Sequence, residues 1–336
     1  MTSSSATAAG TPPQAGGGYK SGTPAQAAGG WANSPAPLHL GDVVRGHART
    51  LAAAGIDSSE ADAFSLARHA LGLSAAALRT AGTAGVAPER LDRLGRLVAR
   101  RALRVPLQHL TGEAGFRRLM LTSRPGVFVP RPETEVLAGA AIELAHVAIA
   151  RFGRAIVIEP CTGSGAVGLS IAHEVAGVCV IAADLDLAAV ALARCNLARL
   201  RAAPGLAHGS TCEILAGDLL DPFPAELRGH VDVIVANPPY LTSAEVAACP
   251  PEVRDHDPRL ALAAGDDGHV ASDALLAAAA EWLRAGGTLL LEVAETRAAE
   301  VAARALRVGY GDIAVAADLA GRHRFVAARV TGQRSS

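Results

Sequence analysis

The sequence predicts an α/β protein: a Rossmann-like, doubly wound sheet behind a small N-terminal helical bundle, with a β-hairpin between them. Three observations carry this. From about residue 130 onward, short apolar runs alternate with helix-length segments, the pattern of a parallel sheet covered on both faces. Seven such runs occur, each bounded by turn residues and rich in Val, Ile, Leu or Ala. Before residue 107 the apolar residues fall at helical spacing instead.

Residues 1–37 are built almost wholly from Ala, Gly, Ser, Thr, Pro and Gln, with Lys20 as the only charge. Such a tract buries too little apolar surface to offset its ordering entropy, so a disordered tail is expected. Residues 38–106 form the expected helical domain. Val43, Val44, His47 and Leu51 share a helix face, with Gly55 as a stop. Ser58 and Ser59 precede Glu60 as caps for a second helix carrying Ala63, Phe64, Leu66, Ala67 and Ala70, which Gly72 ends. Pro88 suits a first helical turn, and Leu91, Leu94, Leu97 and Val98 follow on one side. Residues 107–130, rich in Gly and Thr, suit the hairpin linker.

The sheet domain is expected over residues 131–331. Its strands are AIVIEP (155–160), VCVIAAD (178–184), CEILAGD (212–218), VDVIVAN (231–237) and GTLLLEV (287–293), then an antiparallel pair, IAVAAD (313–318) and RFVAARV (324–330). Helices are expected over 164–175, 187–200 and 272–284.

The 336 residues suffice for roughly two domains. Lys plus Arg number 31 against 32 Asp plus Glu, a net charge of −1. That argues against a protein held to nucleic acid by bulk electrostatics, although Arg100, Arg101 and Arg104 form a small basic patch. The five cysteines are scattered with no C-x-x-C, which suggests reduced thiols, a cytoplasmic home and no metal. No uninterrupted apolar span of about 18 residues predicts a membrane helix. A basic region followed by an apolar one, the mark of a secretory signal, is likewise absent from the N-terminal sequence.

Two loops carry the chemistry. Between the first strand and first helix stand Glu159, Pro160, Cys161, Thr162, Gly163, Ser164 and Gly165. A Gly-rich turn there lets a ligand approach the backbone. The order differs from G-x-G-x-x-G, and Glu159 would repel a pyrophosphate but suit a ligand bearing an ammonium group. S-adenosyl-L-methionine (AdoMet) is such a ligand. Asp184, ending the second strand about 20 residues on, can take both hydroxyls of a ribose. Asp218, ending the third, can accept from an adenine amino group.

The second loop is Asn237-Pro238-Pro239-Tyr240, where the fourth strand stops because proline has no N–H for a ladder. An amide or exocyclic amine is a poor nucleophile. The Asn237 side-chain oxygen and the Pro238 carbonyl can each accept one N–H of it, orienting its nitrogen and favouring the charge that develops. Pro239 stiffens the turn and Tyr240 can stack on a planar group. By itself the motif leaves adenine N6, cytosine N4 and a glutamine side-chain amide open as methyl acceptors.

With these motifs the chain resembles the HemK-like protein-(glutamine-N5) methyltransferases, over about residues 40–330. The resemblance also rests on PGVFVPRPETE (125–135), TGSGAVGLSIA (162–172), PPEVRDHDPRLAL (250–262) and GRHRFVAAR (321–329). DNA amino-methyltransferases share the Asn-Pro-Pro-Tyr turn but lack the PRPETE tract. The resemblance implies a seven-stranded AdoMet-dependent methyltransferase fold. It implies AdoMet contacts from Cys161 to Gly165, Asp184, the Asp218–Leu219 pair and Asn237. It implies a glutamine pocket from Asn237 to Tyr240, with Arg131, Glu133 and Thr134 closing over it and Glu252 and Arg254 ordering a lid. Release factors are the implied partners and substrates, docked on the helical domain of a monomeric enzyme, with no nucleic acid or membrane contact. An AdoMet-dependent amino-methyltransferase of another protein or of nucleic acid, and a non-catalytic AdoMet-binding scaffold, are the alternatives. The sequence departs from the family at Glu159, usually Asp, at Cys161, usually Gly, and at Ala294 and Arg297, where Gly and Gln are usual.

Overall fold

A computed structural model describes residues 39–332; the tail expected over 1–37 lies outside them. The first helices are α1 (Leu40–Ala53), α2 (Ser59–Leu71), α3 (Ala75–Thr80), α4 (Pro88–Ala102) and α5 (Leu107–Thr111). They pack around one apolar core that includes Leu40, Leu51, Leu66, Leu94 and Val98. Gly72 ends α2 in the left-handed conformation, and Pro88 occupies the first turn of α4. Ser58 does not cap the backbone of α2. Its hydroxyl donates to the Asp62 carboxylate at 2.9 Å. Asp62 is held in turn by Arg101 of α4 at 2.6 Å.

The hairpin is shorter than 107–130. Its strands are β1 (Glu113–Phe116) and β2 (Leu119–Thr122), paired antiparallel around Arg117 and Arg118. Residues 107–111 are helical instead, because Pro106 starts a turn that Gly112 closes at φ 76.

A long helix that the alternation did not predict comes next, α6 (Thr134–Phe152). The sheet domain then runs β3 (Ala155–Pro160), α7 (Ala166–Glu174), β4 (Val178–Asp184), α8 (Leu187–Ala202), β5 (Thr211–Ala216) and β6 (Val231–Ala236). Three short helices follow: α9 (Ser243–Ala248), α10 (Pro251–Arg254) and α11 (Arg259–Leu262). The chain closes with α12 (Val270–Trp282), β7 (Leu283–Glu292), α13 (Ala298–Arg307), β8 (Gly311–Ala317) and β9 (His323–Arg329).

The seven strands lie in the order β5-β4-β3-β6-β7-β9-β8. β3 to β7 are parallel, and β9 inserts antiparallel between β7 and β8. Their runs read as continuously apolar because both faces are buried. Successive residues go to opposite sides: Val233 and Val235 of β6 join the core under α6 to α8, while Ile234 and Ala236 join the core under α12 and α13. After β5 the chain returns past β3 to lay down β6 on its other side. The order therefore reverses between β3 and β6, which places the crevice of an open α/β sheet at the carboxyl ends of these two strands.

Candidate active site

β3 delivers Glu159 and then a tight turn. Cys161, Gly163 and Gly165 all have positive φ, at 64, 57 and 87°. This reverses the chain into α7 within a few residues. Glu159 is only 3% exposed. Its Oε2 accepts from the Thr162 hydroxyl at 2.6 Å and from the Gly168 N–H at 2.9 Å. Burial nevertheless pushes its carboxyl up to about 8. Burial also raises the Cys161 thiol, keeping it neutral and a poor nucleophile. Asp184 ends β4 opposite this turn. Its Oδ2 accepts from the Gly163 N–H at 2.7 Å and its Oδ1 from the Asp186 N–H at 2.9 Å. Each carboxylate oxygen keeps a further lone pair for a ligand hydroxyl.

β6 stops at Ala236, so Asn237 emerges at the mouth of the same crevice. Its side chain donates from Nδ2 to Thr134 Oγ1 at 3.3 Å. Thr134, the first residue of α6, donates to Glu292 Oε2 at 2.7 Å. The Tyr240 hydroxyl donates to the other oxygen of Glu292 at 3.4 Å and accepts from Arg324 Nη2 at 2.9 Å. The Arg324 guanidinium also lies over the Tyr240 ring, 5.8 Å from its centroid. Burial pushes the Tyr240 hydroxyl up to about 12, so it stays protonated.

Between these loops lies a cavity of about 390 Å³. Glu159, Cys161, Thr162, Gly163 and Ser164 line it from β3, and Asp184, Asp218 and Leu219 from β4 and β5. Thr134, Asn237, Pro239 and Tyr240 line it from the far side. Four residues expected at the site are not on its wall. Gly165 is instead the turn into α7, packed against Leu169. Pro238 is buried. Arg131 turns to Asp257 and stacks on Phe128, and Glu133 pairs with Arg322 at 2.7 Å. Both are ion-paired next to the turn that carries Thr134, and neither lines the cavity. The basic patch is also not free, since Arg101 and Arg104 both pair with Glu252 of α10.

Sequence reasoning missed Glu292 and Arg324. The available signal for Glu292 was a lone acid near the end of the largely apolar run GTLLLEV; Arg324, one of several bases in GRHRFVAAR, had none. Sequence reasoning also gave Arg297 no partner. Arg297 donates to the Tyr240 carbonyl at 3.2 Å and to the Glu245 carboxylate at 2.8 Å, clamping the loop after β6.

The wall suits AdoMet. Ser164, a lining residue, has its Oγ buried without a partner. A Cβ on Gly163 would meet nothing within 4 Å, so its backbone borders open space. Carboxylates at 184 and 218 fit ribose hydroxyls and an amino group, and an ammonium beside Glu159 would offset the burial that raises its carboxyl. A sheet that reverses at this crevice, with this donor set around it, defines an AdoMet-dependent methyltransferase. The PrmC N-terminal domain matches residues 42–112, and the Methyltransferase small domain matches residues 118–249. The release factor glutamine methyltransferase of Mycolicibacterium smegmatis is 41% identical over 282 residues, covering 83% of this chain and 93% of that protein. That of Deinococcus radiodurans is 40% identical over 88% of this chain and its own whole length. That of Streptomyces coelicolor is 40% identical over 83% of this chain and 94% of its own. The chain belongs to the release factor glutamine methyltransferase family.

Proposed function

We infer that this protein methylates the side-chain amide nitrogen of the glutamine in the Gly-Gly-Gln loop of peptide chain release factors, with AdoMet as the methyl donor. One observation carries the reading. Asn237 stands at the switch point with its NH2 tied back to Thr134, so its Oδ1 remains as an acceptor beside the cavity. An acceptor there selects a methyl acceptor that carries N–H.

When bound, AdoMet supplies an electrophilic methyl on a sulfonium. Glu159 and Asp184 hold its ammonium and ribose, and Asp218 and Leu219 border its adenine. Asn237 Oδ1 takes one N–H of the substrate amide, which fixes the direction of the nitrogen and stabilises the charge that grows on it. Pro238 and Pro239 offer no N–H to compete for this acceptor. Tyr240 walls the planar amide. No side chain need act as a strong base, because the proton can leave after transfer.

Residues 39–111 serve as the docking domain for the release factor, and the enzyme works as a monomer in the cytoplasm. The balanced charge supports a protein partner over nucleic acid. Among the described residues no helix is long and apolar enough to cross a membrane. The test uses labelled AdoMet with a release factor, the same factor with its loop Gln changed to Ala, or DNA. Label only with the intact factor is expected; label only in DNA overturns the reading. Asn237→Ala should cut turnover on the order of 10²-fold, the scale of one oriented polar contact.

A further inference from the structure

Glu292 ends β7 and is 1% exposed. Burying a carboxylate is unfavourable unless its oxygens are filled. Here both are. Oε2 takes the Thr134 hydroxyl at 2.7 Å and Oε1 takes the Tyr240 hydroxyl at 3.4 Å. Burial raises the Glu292 carboxyl; against that, the Thr134 hydroxyl, the charge of Arg324, which donates to the Tyr240 oxygen at 2.9 Å, and the Tyr240 hydroxyl all favour the ionised form.

A hydroxyl has one hydrogen to give, and an ionised carboxylate has none. Thr134 has committed its hydrogen to Glu292, so its Oγ1 can only accept. The end of the Asn237 amide that meets Thr134 must then be the NH2, and Oδ1 is the end left over. With no acceptor at 292, Thr134 is free to donate to Asn237 Oδ1. The amide would then turn over and present a donor to the cavity. A donor cannot receive the N–H of a substrate amide.

We propose that Glu292 is a positioning residue: acting through Thr134, it fixes which end of the Asn237 amide faces the methyl acceptor. Glu292 itself does not line the cavity. The proposal rests on the reading of Asn237 as the acceptor for the substrate amide. It also accounts for the PRPETE segment, whose Arg131 and Glu133 are tied down by Asp257 and Arg322 while Thr134 is left pointing at Glu292 and Asn237.

Glu292→Gln keeps the size of the side chain but cannot accept from both hydroxyls without its own NH2 facing one of them. Turnover should fall on the order of 10²-fold while AdoMet affinity and thermal midpoint stay near wild type. Thr134→Val should lose turnover similarly, and Thr134→Ser should retain it. In the Thr134→Val background, Glu292→Gln should add little further loss, because the route to Asn237 is already cut. Losses that multiply in the double variant overturn the proposal, as does a Thr134→Ser variant no better than Thr134→Val. Orientation is also readable without turnover. The Asn237 side-chain NH2 should exchange slowly with solvent in the wild type and faster in Glu292→Gln, and equal exchange overturns the proposal. A wild type that leaves the release factor unlabelled would sink the functional reading instead, and the exchange measurement would still decide the role of Glu292.

Discussion

Cys161 holds a backbone conformation that suits glycine. At φ 64 its Cβ crowds the following carbonyl, a strain of about 1–2 kcal/mol in a non-glycine residue. The resemblance flagged this position because the family usually has Gly there, and the geometry supplies the reason. Cys161→Gly should therefore raise stability by about 1 kcal/mol and tighten AdoMet binding; titration calorimetry and thermal melts check both, and weaker binding would refute the strain argument. Glu159 sets a second expectation. Its folded-state carboxyl titrates at about 8, above its ordinary value of 4.5, because burial disfavours the charge. The folded state then binds the extra proton between these values, so stability is full below about 4.5 and is lost as pH rises toward 8. Urea unfolding at pH 5.5 and 8 should show a larger fall for wild type than for Glu159→Gln. Legibility at this scale followed a simple rule. Residues whose type matters at a strand end, such as Asn237 and Asp184, could be read from the sequence. The partners of Arg131 and Glu133 could not, because Asp257 and Arg322 lie far along the chain.

At the scale of elements, α7 packs against β3, β4 and β5. Gly168 faces β3 and β4, where a Cβ would collide with Glu159 Oε2 and come within 3.3 Å of Val180. Gly163, a few residues before, faces open cavity instead. The two glycines should therefore fail differently. Gly168→Ala should cost about 1–3 kcal/mol of stability through overpacking. Gly163→Ala should lose about 1–2 kcal/mol to its left-handed φ of 57 and, unlike Gly168→Ala, should also lose AdoMet affinity, since Gly163 lines the cavity. Cofactor titration on both variants separates the cases; equal AdoMet affinity in the two would show that the cavity wall is misjudged. The strands over 155–184 were legible because a buried parallel sheet makes their runs uniformly apolar. α6 was not, because its Ala-rich sequence lacks a marked polar face and its start is set by the Arg131 and Glu133 pairs. Residues 107–111 went to a helical turn because Gly112 supplies the left-handed stop, a local choice that Gly and Thr content alone could not predict.

Across the described molecule, the helical bundle is tied to the segment after the Asn-Pro-Pro-Tyr turn. Arg101 of α4, 6% exposed, bridges Asp62 of α2 at 2.6 Å and Glu252 of α10 at 2.9 Å. Arg104 adds a contact to Glu252 at 3.2 Å. Burial raises Asp257, which follows on the same segment, to about 6, while Arg131 pulls the other way. The segment over residues 250–258 is thus held from the bundle and from the turn before α6. Glu252→Ala leaves Arg101 Nη1 with only the Val105 carbonyl at 3.5 Å, which should cost about 1–3 kcal/mol. Faster amide exchange in α10 and in α4 together should accompany it. Exchange confined to α10 would mean that the bundle is not coupled to this segment.

The sequence by itself determined the alternation of strands and helices, the two loops at the strand ends, and the Asn-Pro-Pro-Tyr turn. Each of these depends on side-chain type at near neighbours, through hydrophobic period, glycine freedom or the missing N–H of proline. Only the tertiary structure decided which acceptor and donor meet. Thr134, Asn237 with Tyr240, Glu292 and Arg324 come from four separate places in the chain and converge because α6, β6, β7 and β9 are neighbours in one sheet domain. Hydrogen bonds act over about 3 Å, and no spacing along the sequence encodes that distance until the sheet order has been set.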